Sequence, residues 1–270
     1  MIFESHAHYD DKAFDEDRDE LLRRCKSEGI EYIVNVSSDI ASVKTTLALV
    51  SKWDFMYAAV GIHPDGVGEL NEENFEWLRV MCSRPKVMAV GEIGLDYHWD
   101  KEHHDLQKYW FRRQLELAKE MGLPVIVHSR DASADTLEEI RKADNQELTG
   151  VIHCFAYSTE SALEYIKMGY YIGVGGVVTF KNAKKLKEVV KAIPAESILL
   201  ETDCPYLAPE PNRGKRNSSL NLPYVAAEIA RIKDMDVGEV IRVTNENAKR
   251  LYFGADQAVM TAVRSGREEE

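Results

Sequence analysis

The chain has 270 residues, 44% of them hydrophobic and 30% charged, which suits one folded domain of barrel size and excludes disordered and fibrous classes. Its 34 Lys and Arg stand against 46 Asp and Glu, and the resulting −12 excludes holding nucleic acid by broad phosphate neutralisation. No run approaches the roughly 20 apolar residues of a membrane-spanning helix, MIFESHAHYD lacks a secretory leader pattern, and the four cysteines show no paired spacing; a cytoplasmic protein with reduced thiols and no membrane partner is expected.

Short apolar runs alternate with amphipathic stretches along the whole chain. IFE (2–4) leads to His6 and His8, and DEDRDELLRRCKSEG follows with helical spacing and a terminal Gly. EYIVNV (31–36) comes next, then FMYAAV (55–60), which precedes His63 and the helical NEENFEWLRVMC. KVMAV (86–90) precedes Glu92, and HHDLQKYWFRRQLELAKEMG reads as a long helix. PVIVH (124–128) ends in His128 and TGVIHC (149–154) contains His153, with TESALEYIKMG after it. YYIGVGG (170–176) and SILLET (197–202) complete the series, and Asp203 follows directly. Eight β-rich runs without polar alternation predict strands buried on both faces, hence a parallel sheet. Eight β–α units in this length predict a (β/α)8 TIM barrel spanning residues 1–254, with 255–270 as a helical or frayed tail; a doubly wound open sheet is the alternative.

A TIM barrel carries its active site at the C-terminal ends of the strands. Five of the eight histidines (His6, His8, His63, His128 and His153) stand at such ends, with Glu92 and Asp203. Singly, each reads as a capping or hydrogen-bonding residue; jointly, one rim collects them all. Residues i and i+2 of an extended segment point to the same side, so His6 and His8 can reach one ion. His6, His8, His128, His153, Glu92 and Asp203 exceed what one four-coordinate ion needs, which predicts a two-cation site with a bridging carboxylate.

The segments ESHAHYD, GIHP, GEIGLDYHWD, PVIVHSRDA, GVIHCF, ETDCPYLAP and RGKRN, in this order, resemble the TatD family of deoxyribonucleases in the amidohydrolase superfamily, over residues 2–253. The resemblance implies that His6, His8, Glu92, His128, His153 and Asp203 are metal ligands and that His63 lies beside the metals or contacts phosphate. It also implies divalent-metal-dependent nuclease activity, including 3′-to-5′ removal of nucleotides from single-stranded or damaged DNA. The chain departs from the family pattern at Glu4, where Asp is usual, and at Asp65, where many members carry His.

The expected catalytic set is Glu92, bridging two cations (Mg, Mn or Zn), Asp203 as general base, and His63. His6, His8 and Asp203 are expected to hold one cation, and His128 and His153 the other. Arg130 and the RGKRN cations Arg213, Lys215 and Arg216 are expected to contact the phosphates of a DNA substrate, since guanidinium binds phosphate in bidentate fashion. Tyr97 and Trp99 are read as packing residues, with base stacking as the alternative; Cys154 and Cys204 are read as packing. A hydrolase of a cyclic amide, lactone or phosphotriester, and a non-catalytic nucleic-acid-binding protein, are the competing classes. The oligomeric state defaults to monomer.

Overall fold

The computed structural model describes residues 1–143 and 148–265, and side chains as far as residue 254. Eight parallel strands hydrogen-bond in chain order: β1 (Ile2–Ala7), β2 (Ile30–Val36), β3 (Met56–Ala59), β4 (Val87–Asp96), β5 (Val125–Arg130), β6 (Gly150–Ile152), β7 (Tyr170–Val174) and β8 (Ile198–Leu200). The ring closes where Ala7 bridges Cys204, with Ser5 Oγ donating to the Leu200 carbonyl. The chain is thus a (β/α)8 barrel, as the alternation of runs predicted. Helices α1 (Arg18–Ser27), α2 (Ile40–Val50), α3 (Glu72–Cys82), α4 (His104–Met121), α5 (Ser133–Ala143), α6 (Thr159–Lys167), α7 (Lys184–Ala192) and α8 (Leu222–Lys233) surround it. Among the described residues no helix is long and apolar enough to cross a membrane.

Parity along each strand builds two cores. Inside the barrel, Phe3, Val34, Val36, Ala59, Ala89, Ile126, Val151 and Leu199 form one cluster. A ninth helix, α9 (Val237–Ser265), plugs it with Ala248, Leu251 and Tyr252. Tyr252 stacks on Phe3 at 5.6 Å and donates its hydroxyl to the Ser5 carbonyl; such a ring pair adds about 0.5–1.5 kcal/mol beyond the area it buries. The other strand faces pack against the helices. Gly254 (φ 73°, ψ 165°) interrupts α9 where the tail 255–270 was expected to begin; residues 266–270 lie outside the described residues.

Several strands differ from the predicted runs. β4 runs to Asp96, so GEIGLD is strand as well as loop motif, while the runs at 149–154 and 197–202 shorten to three residues each. The added length of β4 matters for the site. Register shifts fall between Glu4 and Ala7 of β1 and between Val90 and Ile93 of β4, bracketing His6 and Glu92. Shifts of this kind re-aim side chains at barrel rims. Two buried glutamines of α4 then fasten the strand ends. Gln107 accepts from the Asp96 N–H at 2.9 Å and donates to its carbonyl at 3.0 Å, and Gln114 does the same for Ile62. Residues 62 and 96 flank the histidine-bearing rim, so these side-chain bonds set its height.

Candidate metal centre

Glu92 is buried at the middle of the rim, and its two oxygens face different histidines. Oε2 lies 3.4 Å from His6 Nε2 and 3.8 Å from His8 Nε2. Oε1 lies 2.8 Å from His128 Nδ1, 3.8 Å from His153 Nε2 and 4.0 Å from His63 Nε2. Asp203 closes the first side, with Oδ1 at 3.3 Å from His8 Nε2 and 3.7 Å from His6 Nε2. It follows β8 with φ 57°, a left-handed conformation that is uncommon for a residue with a Cβ, and its N–H is tied to the His6 carbonyl.

The ring partners decide which nitrogen each histidine offers. His8 Nδ1 donates to the Val36 carbonyl at 2.8 Å, leaving Nε2 toward Glu92 and Asp203. His153 Nδ1 donates to Glu201 at 3.1 Å, so its Nε2 faces the mouth. His128 reverses the pattern: Asp96 takes Nε2 at 3.0 Å, and Nδ1 turns to Glu92. A carboxylate or carbonyl behind a ligating imidazole fixes its tautomer and raises its basicity. His63 is different, because its Nδ1 accepts from the Asp65 N–H at 3.2 Å. A neutral imidazole with one nitrogen accepting carries its proton on the other, so His63 Nε2 is a donor. Burial lowers its pKa to about 4, which keeps the ring neutral.

These residues fit divalent cations. Ligand atoms of His6, His8 and Asp203 lie within 4.8 Å of one another, as do those of His63, Glu92 and His128. His6 and His8 bring their Nε2 atoms to 3.1 Å, close to the spacing of two nitrogens each about 2.0–2.1 Å from one zinc ion. The donor set of imidazole and carboxylate suits zinc, manganese or iron. His128 and His153, expected to share a cation, both face Glu92 Oε1, and each also belongs to a second grouping. His63 beyond β3, Glu92 in β4 and His128 in β5 converge, while His153, 3.8 Å from Glu92 Oε1, also stacks on His6 at 3.5 Å and sits 3.8 Å from Asp203. Cys154, read from sequence as packing, also has its sulfur within 4.8 Å of ligand atoms of His153 and Asp203, and burial pushes its thiol well above 9.

Asp96 and Glu201 escaped the sequence reading. Asp96 is four residues beyond Glu92 on one strand and hence on the same face, and Glu201 precedes Asp203 by two, so parity alone could have found both. Burial opposes ionisation of Asp96, yet its bonds to His128 and to the N–H groups of Trp99 and His98 hold it at about 2. Glu201 also accepts from the Cys154 N–H at 2.6 Å and lies across β7 at Gly173, where a Cβ would come within 2.5 Å of its carboxylate. Asp96→Asn and Glu201→Gln should each weaken cation affinity by about 10–100-fold, the usual cost of losing such a partner. Competition with a chromophoric chelator measures this, and unchanged affinity would show that both carboxylates merely pack.

Glu4 is also buried, but it joins β1 to the end of β8, accepting from the Thr202 N–H at 2.9 Å and the Thr202 hydroxyl at 2.7 Å. Burial raises its pKa to about 8. Of the expected phosphate contacts, Arg130 lies 5.4 Å over the Trp99 ring, and Arg213 is half-exposed, 4.1 Å over Phe180. Arg216 is already engaged. It binds Asp17 through both terminal nitrogens at 2.8 and 2.5 Å, donates to the Ala13 carbonyl at 2.6 Å and covers Phe14. That pins the loop after β8 to the loop after β1 and leaves Arg130, Arg213 (3.9 Å from the Glu210 carboxylate) and Lys215 as the less engaged cations of the expected set.

Burial lowers the pKa of His8, His128 and His153, but facing carboxylates more than reverse this and leave each at about 9. The raised values stabilise the metal-free fold fully below the unfolded value of 6.5, and that contribution is lost as pH rises through 9. Chelator-stripped protein should therefore melt at lower temperature at pH 9.5 than at pH 7. Cations must displace the same protons, so their affinity should rise more than tenfold per unit between pH 7 and 9. Calorimetric titration in buffers of different ionisation enthalpy counts the protons released; a flat affinity over this range would contradict the assignment.

The family model described as TatD related DNase matches residues 3–253. The Bacillus subtilis protein named uncharacterized metal-dependent hydrolase YabD is 46% identical over 252 residues, which are 93% of this chain and 99% of that one. Its Escherichia coli K12 counterpart YcfH, named in the same way, is 33% identical over 255 residues, 93% of this chain and 96% of its own. Among solved structures, the TatD homologue YjjV of Escherichia coli K12 superposes with a TM-score of 0.88 at 30% identity, covering 93% of this chain and 97% of that one.

Proposed function

The chain belongs to the TatD family of metal-dependent hydrolases, and from that premise we propose that it hydrolyses phosphodiester bonds in DNA, removing nucleotides from the 3′ ends of single strands with two divalent cations at the rim. The observation that carries this reading is Glu92, whose two oxygens serve two separate histidine groups. Bound cations would neutralise the phosphoryl oxygens and make a water nucleophilic at neutral pH. His6, His8 and Asp203 would hold one, and His128 the other with His153 at its edge, while Glu92 spans both. Asp203 has a partly exposed carboxylate that stays ionised: burial disfavours its charge, but the bond from His8 and the charges of His153 and His6 hold its pKa below the usual value. It can therefore accept the proton of the attacking water. His63, neutral and protonated on Nε2, would donate to a phosphoryl oxygen. Arg130 ends β5, Arg213 and Lys215 lie in the loop after β8, and together they would supply local positive charge at the rim of a chain that carries −12 overall.

Metal analysis coupled to digestion of 5′-labelled single- and double-stranded DNA tests this. Stepwise shortening from the 3′ end, abolished by chelator and restored by Mg, Mn or Zn, is the expected result. The salt slope of kcat/KM should be shallow, equivalent to roughly one to four phosphates at about −0.7 each. Intact DNA beside metal-dependent turnover of a neutral lactone or phosphotriester would replace the nuclease reading with one of a small-molecule hydrolase.

A further inference from the structure

The two most exposed aromatic side chains among the described residues are Trp99, at 68%, and Tyr206, at 55%. Each stands three residues beyond a carboxylate of the metal centre and is tied to it. The Trp99 N–H donates to the Asp96 carboxylate at 3.0 Å, and the Tyr206 N–H donates to the Asp203 carbonyl at 2.9 Å. Asp96 ends β4 and Asp203 follows β8, strands four places apart in a ring of eight and hence on opposite sides of the mouth. Neither ring is free to collapse onto the surface. His98 meets Trp99 edge-on at 4.8 Å, and the Tyr206 hydroxyl donates to Asp11 at 3.2 Å. Leaving two such rings in water forfeits the burial that aromatic residues normally gain. Tyr97 shows the contrast two residues away, stacked on His104 at 3.6 Å and bonded to Asp135 at 2.6 Å.

We propose that Trp99 and Tyr206 are stacking platforms on either side of the mouth, each receiving one unpaired base of a strand whose phosphodiester lies at the metal centre. The proposal rests on the nuclease reading and names the form of its substrate. Charge makes the platforms necessary. A chain of −12 repels phosphates overall, whereas stacking on a ring face needs no ion release and tolerates any base. Arg130 lies 5.4 Å over the Trp99 ring, so a guanidinium able to bind phosphate stands beside any nucleotide held there. In duplex DNA both bases are already stacked on their neighbours, so the last nucleotides must unpair before they can be held. Trp99 and Tyr206 are therefore positioning residues that select unpaired ends.

The test uses the metal-loaded protein, a single-stranded oligonucleotide and the same oligonucleotide with abasic sites at its last two positions. Trp99→Ala and Tyr206→Ala should each raise KM for the intact strand about 5- to 150-fold, corresponding to the roughly 1–3 kcal/mol of one stacked base, with kcat and cation content retained. Trp99→Phe and Tyr206→Phe should stay within a few-fold of the parent, because each keeps a ring. On the doubly abasic strand the parent should lose the product of the two single-variant factors, and neither alanine variant should fall below the parent there. Parental KM in both alanine variants, or a loss confined to kcat, would overturn the platforms while leaving the nuclease reading in place. A parent that hydrolyses bis(p-nitrophenyl) phosphate but no oligonucleotide overturns that reading, and the platforms fall with it.

Discussion

Glu92→Gln is expected to lower phosphodiester turnover by on the order of 10⁴–10⁶-fold and to deplete cations from both sides of the rim. Loss of one preorganised contact to developing charge costs about 10²–10³, and Glu92 faces both ligand groups, so the two losses multiply. Burial works against its charge, yet His6, His153 and His128 hold the carboxyl well below the usual range. Glutamine preserves the shape and removes that charge from the middle of five imidazoles. The protein should stay folded, because the barrel's two apolar cores do not include Glu92. Metal analysis beside steady-state kinetics gives the answer. Two bound cations and turnover within tenfold of the parent would mean that another group does the bridging.

Asp203→Asn is expected to cost about 10²–10⁴ in kcat, the range for removing a general base. The substitution also weakens the His6–His8 side, where Oδ1 is 3.3 Å from His8, but leaves Glu92, His128 and His63 untouched. Cation content should thus fall by no more than half and KM for DNA should change little. The two variants are separable on that basis: Glu92→Gln empties both positions, Asp203→Asn mainly removes the base. An Asp203→Asn enzyme within a few-fold of the parent at saturating metal would assign the proton to a different group, and Glu201 is too buried to reach it.

How much of this was legible in the sequence follows from how far away the deciding partner lies. Strand ends are set by local apolar runs, and one topological rule sends all their C-termini to a single rim, so His6, His8, His63, Glu92, His128, His153 and Asp203 could be placed together without coordinates. The spacing of His6 and His8 likewise needed only strand parity. Length of β4 was misjudged because GEIGLD mixes glycines with apolar residues, and Asp96 was lost with it.

What the tertiary structure alone decided is orientation and engagement. His8 is turned by the Val36 carbonyl 28 residues away and His153 by Glu201 48 residues away, partners that leave no periodic trace in the chain. Arg216 and Arg213 are indistinguishable as neighbours in RGKRN, yet Arg216 is bound to Asp17, 199 positions distant, while Arg213 remains half in solvent. Tyr97 and Trp99 are as close in sequence and as different in fate. Local sequence therefore determined which groups reach the rim, because hydrophobic periodicity and strand order act over a few residues. Only the closed barrel determined which nitrogen, which cation and which ring each group presents, because those depend on contacts between strands that the chain joins only after a full β–α circuit.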